Sequence, residues 1–416
     1  MKLGLSNIRT LLRDCGNPQK QFSSVHIAGT NGKGSTSSMI AAVLQAAGYR
    51  TGLYTSPHIT LFNERIRING KMISDEDLVR YTQKFRPDVD SLKATFFEAT
   101  TAIAFKFFAD EKVDIAVVET GLGGRLDATN VLRPEVSVIT SIGKDHTEQL
   151  GRTLRAIAYE KGGIIKTRVP CVTAVQREDA LRELRSIAKR RRSPFIIAPS
   201  MNVQPKPAQG PDHQVFTIQT DNKRYQDLRI PLLGSHQIKN AALAISALEC
   251  LQDRGVDIPP KAISEGFRRL LQLTGLRGRF EILRKDPLVV LDVGHNPSGI
   301  TATVETIRNY RRGKVVLVFG VMGDKEYRPM IRSLASLRPR VFAVRPDMER
   351  ALPAETISAL FRERKCRAQS VLTVESAVEK ALRVQKRNDV LLICGSHYIA
   401  GEALKAIRKR LHPKKS

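Results

Sequence analysis

Along the first two thirds of the chain, short apolar runs alternate with longer stretches in which apolar residues recur every three or four positions. Runs at 25–28, 113–118 and 136–139 are short, almost wholly apolar and bounded by charged or glycine-rich turns, so each is read as a buried strand. Residues 153–161, 178–190 and 237–250 carry helical spacing, and 37–47 reads as an alanine-rich amphipathic helix. Strand and helix in alternation predict a parallel α/β sheet. The rhythm breaks at 200–229, which turns polar and proline-bearing, and predicts a surface excursion with a short β-ribbon around 214–218.

A second alternation begins near Asp286, with strands at 288–291, 315–319, 341–344 and 390–393. Helices at 301–310, 330–337, 354–362 and 376–384 fall between them, which is the spacing of a smaller Rossmann-like domain. A chain of 416 residues is too long for one ordinary core. The boundary is placed within 279–286, dividing the chain into 1–283 and 284–416.

Composition changes this picture little. Hydrophobic residues at 42% and charged residues at 26% describe an ordinary globular protein, and no apolar run approaches membrane-spanning length. The N-terminus carries Lys2, Arg9, Arg13 and Asp14 across its apolar patches and does not read as a signal peptide, so a cytoplasmic location is expected. Five cysteines without C-x-x-C spacing argue against disulfides and zinc sites. The abnormal quantity is a net charge of +27. It is spread along the chain, with local clusters at 189–192 and 405–415, and aromatics are only 6% with no Trp, so the aromatic platforms of single-strand binding are missing. Nucleic acid is therefore not the expected partner, whereas a positive field does attract polyanionic substrates.

The strongest chemistry lies in Gly29-Thr30-Asn31-Gly32-Lys33-Gly34-Ser35-Thr36, between the first strand and the first helix. Glycines there let backbone N–H groups turn around an anion, and the helix N-terminus adds partial positive charge. Lys33 is placed to reach the β- and γ-phosphates of ATP, and Ser35 or Thr36 to meet magnesium. The usual phosphate loop has its hydroxyl directly after lysine; here Gly34 intervenes.

That spelling resembles the ATP loop of the Mur ligase superfamily, which joins a carboxylate to an amino acid. Further motifs, from near residue 4 to near residue 402, resemble one branch of it: the folylpolyglutamate synthases and their dihydrofolate synthase relatives. The implied architecture is α/β, a P-loop Mur-ligase central domain followed by the smaller C-terminal Rossmann-like domain. Tyr54-Thr55-Ser56-Pro57-His58 with Asn63-Glu64-Arg65-Ile66 resembles the family's TSPH…NERI element and makes Ser56 a magnesium ligand. Thr95-Phe96-Phe97-Glu98 resembles its TFFE motif, which implies a pterin site; physically, two aromatics beside a carboxylate suit a flat heterocycle, and in isolation both are core residues at a helix start. Glu119 to Asn130, ETGLGGRLDATN, leaves a buried strand at its C-terminal end. Glu119 is thereby a magnesium ligand, Arg125 a bidentate fork for a carboxylate or phosphate, and Leu126, Asp127 and Ala128 lie against the pteroate.

Asp145-His146 resembles the family's DH element and makes His146 a ligand of a second magnesium; taken alone it reads as a base or a satisfied histidine. Glu160-Lys161-Gly162-Gly163-Ile164-Ile165-Lys166 resembles EKAGIIK, in which Lys161 matches a lysine carried as a carbamate; taken alone it is an ordinary surface lysine. Asn240 in GSHQIKNA is implied to contact ATP. Arg279 matches the arginine of a PGR motif whose proline is Arg277 here, and is expected to neutralise phosphate charge. In Asp292-Val293-Gly294-His295-Asn296-Pro297, Asp292 is implied to bind nucleotide and His295 to face the reaction. Lys325, in Gly320-Val321-Met322-Gly323-Asp324-Lys325, is a candidate for the carboxylate of glutamate.

The resemblance thus implies an ATP-dependent ligase that phosphorylates a folate or dihydropteroate carboxylate and joins L-glutamate to it, using two magnesium ions, a carbamylated Lys161, and closure of two domains, as a monomer. Relative to the family the chain begins late, ahead of Gly4-Leu5, through a misassigned start or a truncation. Two rivals follow: a ligase of cell-wall nucleotide precursors, which usually carries an extra N-terminal domain, and a basic P-loop protein that binds nucleic acid.

Overall fold

The computed structural model describes residues 4–199, 203–206, 212–310 and 312–411. Its contacts divide the chain into two compact units, the first reaching Leu276 and the second taking over at Arg277, with 232–235 also in the second. The basic tail beyond Leu411, the start ahead of Gly4, and positions 200–202 and 207–211 of the excursion lie outside the described residues.

In the first unit the strands are β1 (Ser23–Ala28), β2 (Thr51–Tyr54), β3 (Ile66–Ile68), β4 (Lys71–Met72), β5 (Ile115–Glu119), β6 (Val136–Ile139), β7 (Cys171–Thr173) and β8 (Phe195–Ile197). They form one sheet in the order β4-β3-β2-β5-β1-β6-β7-β8. From β2 to β8 neighbours run parallel, and β3 and β4 are antiparallel additions at one edge. A parallel sheet covered on both faces requires uniformly apolar strands, and every residue of β5 and β6 is buried. The chain leaves β1 toward β2 on one side and returns from β5 to β6 on the other. Loops after β1 and β5 therefore meet at the switch point where such sheets bind ligands.

The helix after β1 runs Lys33–Ala46, beginning four residues before the expected 37. It is also not amphipathic: Ser35 through Leu44 are all buried, because the sheet lies on one side and further helices on the other. Lys33, Gly34 and Ser35 thus form the first helical turn. The polar excursion is a three-stranded antiparallel sheet of β9 (Val203–Lys206), β10 (Gln214–Gln219) and β11 (Arg224–Ile230). Phe216, Ile218, Leu228 and Ile230 give this sheet one buried face, hidden in sequence by the polar residues alternating with them.

The second unit holds β12 (Glu281–Lys285), β13 (Leu288–Leu291), β14 (Val315–Phe319), β15 (Arg340–Val344), β16 (Ala368–Val371) and β17 (Val390–Cys394), in the order β12-β13-β17-β14-β15-β16. The change of unit at Arg277 precedes the 283/284 division read from sequence because β12 pairs antiparallel with β13. Both β12 and β16 escape a search for apolar runs, since they are edge strands with few buried side chains. The core gathers Val290, Leu317, Phe319, Leu392 and Ile357 around the sheet. Among the described residues no helix is long and apolar enough to cross a membrane.

Candidate active site

The loop after β1 is held by its own polar groups. Thr30 Oγ1 donates to the carbonyl of Gly143 at 3.0 Å and accepts from the Gly143 N–H at 3.1 Å, and Ser141 Oγ donates to the carbonyl of Asn31 at 3.1 Å. Gly32 caps the following helix at φ 90°, a left-handed conformation, and a Cβ there would stand 2.5 Å from Asn240 Oδ1. A Cβ on Gly29 would strike Thr140 Oγ1. Both glycines are thus fixed by close approach, and Asn240 is brought against the loop as expected. The first turn starts at Lys33, so its leading N–H groups have no acceptor within the helix and face an anion readily.

Lys33 lies inside this cradle, its Nζ 3.4 Å from the Thr30 carbonyl and 3.7 Å from Glu119 Oε1. Glu119 reaches it because β5 pairs with β1 in a register that sets Glu119 beside Ile27, just ahead of the loop. The other oxygen of Glu119 faces the N–H of Ser56 at 3.5 Å. A buried carboxylate and a hydroxyl residue beside a phosphate cradle are hard oxygen donors, which suits magnesium.

Lys161 is where the isolated sequence misleads most. It is 4% exposed, and its Nζ donates to the carbonyl of Gly29 at 2.7 Å, joining the 154–162 helix to the phosphate loop. Burial, then the charge of Lys33, pulls its ammonium down to about 7, against smaller opposing pulls from Asp145 and Asp127. His146 caps a short helix at φ 49°, its Nε2 3.8 Å from Asp145 Oδ1. His146 and Lys161 themselves offer nitrogen, which magnesium takes poorly; an oxygen from Lys161 requires its carbamate. Among the described residues no three His, Cys, Asp or Glu side chains gather as a metal cluster.

Several expected ligand-binding groups are committed to the protein itself. The Arg125 fork is filled by Glu160, Nη2 to Oε1 at 2.9 Å with Nε 3.2 Å from each oxygen, so it does not await a substrate carboxylate. Asp127 is buried and accepts from the Leu122 N–H at 2.8 Å and from Thr129 Oγ1 at 2.5 Å, stapling the glycine loop; burial still raises its carboxyl above the ordinary range. Thr129 in turn meets His26 Nε2 at 2.8 Å, and burial drives that imidazole down to about 3, so it is neutral. His26 was not singled out in the sequence; a lone histidine in an otherwise apolar strand was the available signal. Ala128 is buried and Leu126 half-buried beside this staple.

Thr95 and Glu98 make a capping box, with Glu98 Oε2 accepting from the Thr95 N–H at 2.7 Å and the Glu98 N–H donating to Thr95 Oγ1 at 3.3 Å. The carboxylate therefore closes the helix start. Phe97 packs inward near Tyr54 and Gly121, whereas Phe96 is 62% exposed. Arg65 lies 5.5 Å from the Phe96 ring and 5.7 Å from Phe62, and its Nε donates to His58 Nδ1 at 3.0 Å. This open aromatic–cationic group can stack a flat ligand. Phe62, in the gap between the TSPH and NERI elements, was missed.

In the second unit Asp292 accepts from the Phe280 N–H at 2.9 Å, the Gly294 N–H at 2.8 Å and Thr303 Oγ1 at 2.8 Å. It fixes the backbone beside Arg279, whose Nη1 is 3.4 Å from the Gly278 carbonyl. His295 Nδ1 is 3.0 Å from the Val293 carbonyl, and its ring centroid is 5.4 Å from that of His397. Lys325 lies in the turn after β14, where Asp324 pairs with Arg350 at 2.9 Å.

Comparison with known proteins agrees with both halves of this arrangement. Residues 27–248 match the Mur ligase middle domain, and residues 278–397 match the Mur ligase, glutamate ligase domain. The chain is 38% identical to a dihydrofolate synthase/folylpolyglutamate synthase of Bacillus subtilis, covering 99% of this chain and 95% of the relative. Among solved structures, folylpolyglutamate synthase of Mycobacterium tuberculosis complexed with ADP superposes with a TM-score of 0.88 at 33% identity, over 96% of this chain and 94% of that one. E. coli FolC in complex with DHPP and ADP superposes at 0.87 and 26% identity, over 99% and 94%.

Proposed function

This chain belongs to the Mur ligase family of folylpolyglutamate and dihydrofolate synthases, and from that premise we propose how its residues divide the work of an ATP-dependent glutamate ligase. A carboxylate oxygen of the folate or dihydropteroate substrate attacks the γ-phosphorus of ATP, ADP leaves, and an acyl phosphate remains. The amine of L-glutamate then attacks the acyl carbon; the amide forms as phosphate leaves and the nitrogen gives up its proton.

Lys33 and the first-turn N–H groups hold the transferring phosphoryl charge, with Gly29 to Ser35 shaping the cradle and Asn240 contacting the nucleotide. Magnesium, when bound, neutralises phosphoryl oxygens; Ser56 and Glu119 would hold one ion, and His146 with carbamylated Lys161 the other. A lysine near pH 7 is partly neutral, and that form attacks CO₂, losing one proton as the N–C bond forms. Phe96 with Phe97, and the Leu126–Asp127–Ala128 segment, serve the pterin and pteroate, Thr95 and Glu98 by shaping the helix start. Arg279 serves the nucleotide, Asp292 serves it by fixing the backbone beside Arg279, His295 serves the reacting groups and Lys325 the glutamate carboxylate. A cytoplasmic monomer is the corresponding setting.

The observation that carries this reading is the meeting of Lys33 and Glu119 at the head of the phosphate loop. ADP release should require L-glutamate together with dihydropteroate or tetrahydrofolate. Reaction with one alone assigns the activity to that substrate, reaction with both makes the enzyme bifunctional, and release with neither overturns the reading. Incubation with ¹³C-bicarbonate should add a carbamate carbon signal that Lys161→Met abolishes; the same signal in that variant removes the carbamate from the scheme.

A further inference from the structure

Away from the phosphate loop, a cavity of about 490 Å³ opens between the Ser6–Asp14 helix, the Pro18–Lys20 turn and the Ala128–Val131 turn. Four cations converge on it, Arg9, Arg13, Lys20 and Lys166, and no Asp or Glu is among its lining residues. Asp14 pairs with Arg13 Nε at 2.9 Å without lining the cavity. Arg9 and Lys20 make no side-chain hydrogen bond or ion pair among the described residues. Lys166 is held at the cavity wall by donating to the carbonyl and Oδ1 of Asn130, at 2.9 and 2.7 Å. Burial, then the charges of Arg191 and Arg9, draws its ammonium down to about 8. Like charges gathered in a concave site repel one another until an anion enters.

We propose that this cavity is a second anion site, built for a small ligand carrying two or more phosphoryl groups, free or on a nucleoside. Arginine forks suit phosphate geometry, and Arg9 and Arg13 stand one helical turn apart, so both can address one ligand. The volume equals that of about sixteen waters at roughly 30 Å³ each, more than one phosphate fills. A nucleic-acid backbone asks for a row of cations along a groove, whereas these four line one cavity. The site also connects to the loop after β5: Asn130 Nδ2 donates to the carbonyls of Arg125 and Gly163, at 2.9 and 3.1 Å.

The test is titration calorimetry of the full chain with tripolyphosphate and with ATP, in a Lys33→Ala background that weakens the phosphate loop. One tripolyphosphate site is expected, and Arg9→Glu with Arg13→Glu should weaken it at least about tenfold. Both residues are exposed, so the fold survives; Lys20→Glu, also exposed, is an independent variant and should weaken binding in the same direction. Arg362→Glu with Arg364→Glu makes the same change of net charge at exposed positions elsewhere and should leave affinity within about twofold. Tighter ATP than tripolyphosphate assigns the site to nucleotides, and equal affinities assign it to the phosphoryl groups alone. Equal weakening by both double variants, or weakening by neither, overturns the proposal.

Discussion

Two buried polar centres, one in each unit, behave in opposite ways. Around the phosphate loop, among the described residues, the Lys161 ammonium is buried against one carbonyl, that of Gly29, and beside another cation, Lys33. In the second unit Asp292 is nearly as buried, yet three donors from its own unit surround it at 2.8 to 2.9 Å. A buried ion whose partners are complete is architecture, because a ligand has little left to offer it. A buried ion held by few partners costs the fold stability, and that cost is recovered when a ligand arrives. Glu98 and Asp127 fall on the architectural side, although both sit in motifs that resemble binding elements.

The largest effect should come from the phosphate loop. Lys33→Ala is expected to reduce ligation by about 10²- to 10³-fold or more with far-UV circular dichroism unchanged. Near-full ADP release by that variant would erase the distinction between the two centres.

Lys161→Met sharpens it through pH. The folded-state ammonium titrates near 7 and the unfolded one near 10.5. Between those values the unfolded chain holds a proton that the native chain has shed, so stability of the unmodified protein rises with pH across that window. The variant, lacking the titration, should therefore exceed it in stability most at pH 6.5, and the gap should narrow by pH 9 in urea unfolding under CO₂-free buffer. A gap independent of pH would break the comparison.

Asp292→Asn should act on the fold instead. Exchanging an acceptor-only carboxylate for an amide leaves a buried N–H donor facing unmet, costing about 1–3 kcal/mol in chemical denaturation. Glu98→Ala removes half of a capping box and should cost about 1 kcal/mol, while Glu98→Gln, which keeps the acceptor, should cost less. A loss of activity without any loss of stability in Glu98→Ala would move that carboxylate from architecture to substrate contact.

Local signals made much of this legible. Val136–Ile139, Glu178–Arg190, Leu288–Leu291, Val315–Phe319 and Ala354–Arg362 occupy the residues read from periodicity alone, since each pairs a clear pattern with charged or glycine-bearing ends. Edge strands β12 and β16 were not legible, because a strand with one neighbour and few buried side chains carries no apolar run. Thr95–Glu98 carries the T-x-x-E spacing of a capping box, a local signal that its likeness to a ligand motif masked. The Arg125 fork could not be resolved at all, since its partner Glu160 lies 35 residues away.

By itself the amino-acid sequence determined the α/β alternation and the phosphate loop, because strand, glycine turn and helix are written within a few consecutive residues; the chemistry of a ligase came from the resemblance of its motifs to a known family. Tertiary structure decided which polar groups are spent. Whether Lys161 is a solvated ammonium or a buried near-neutral amine, and whether Asp127 and Asp292 await a ligand or staple a loop, depends on what the fold packs against them. Burial and hydrogen-bond partners come from distant segments, and no local pattern encodes them.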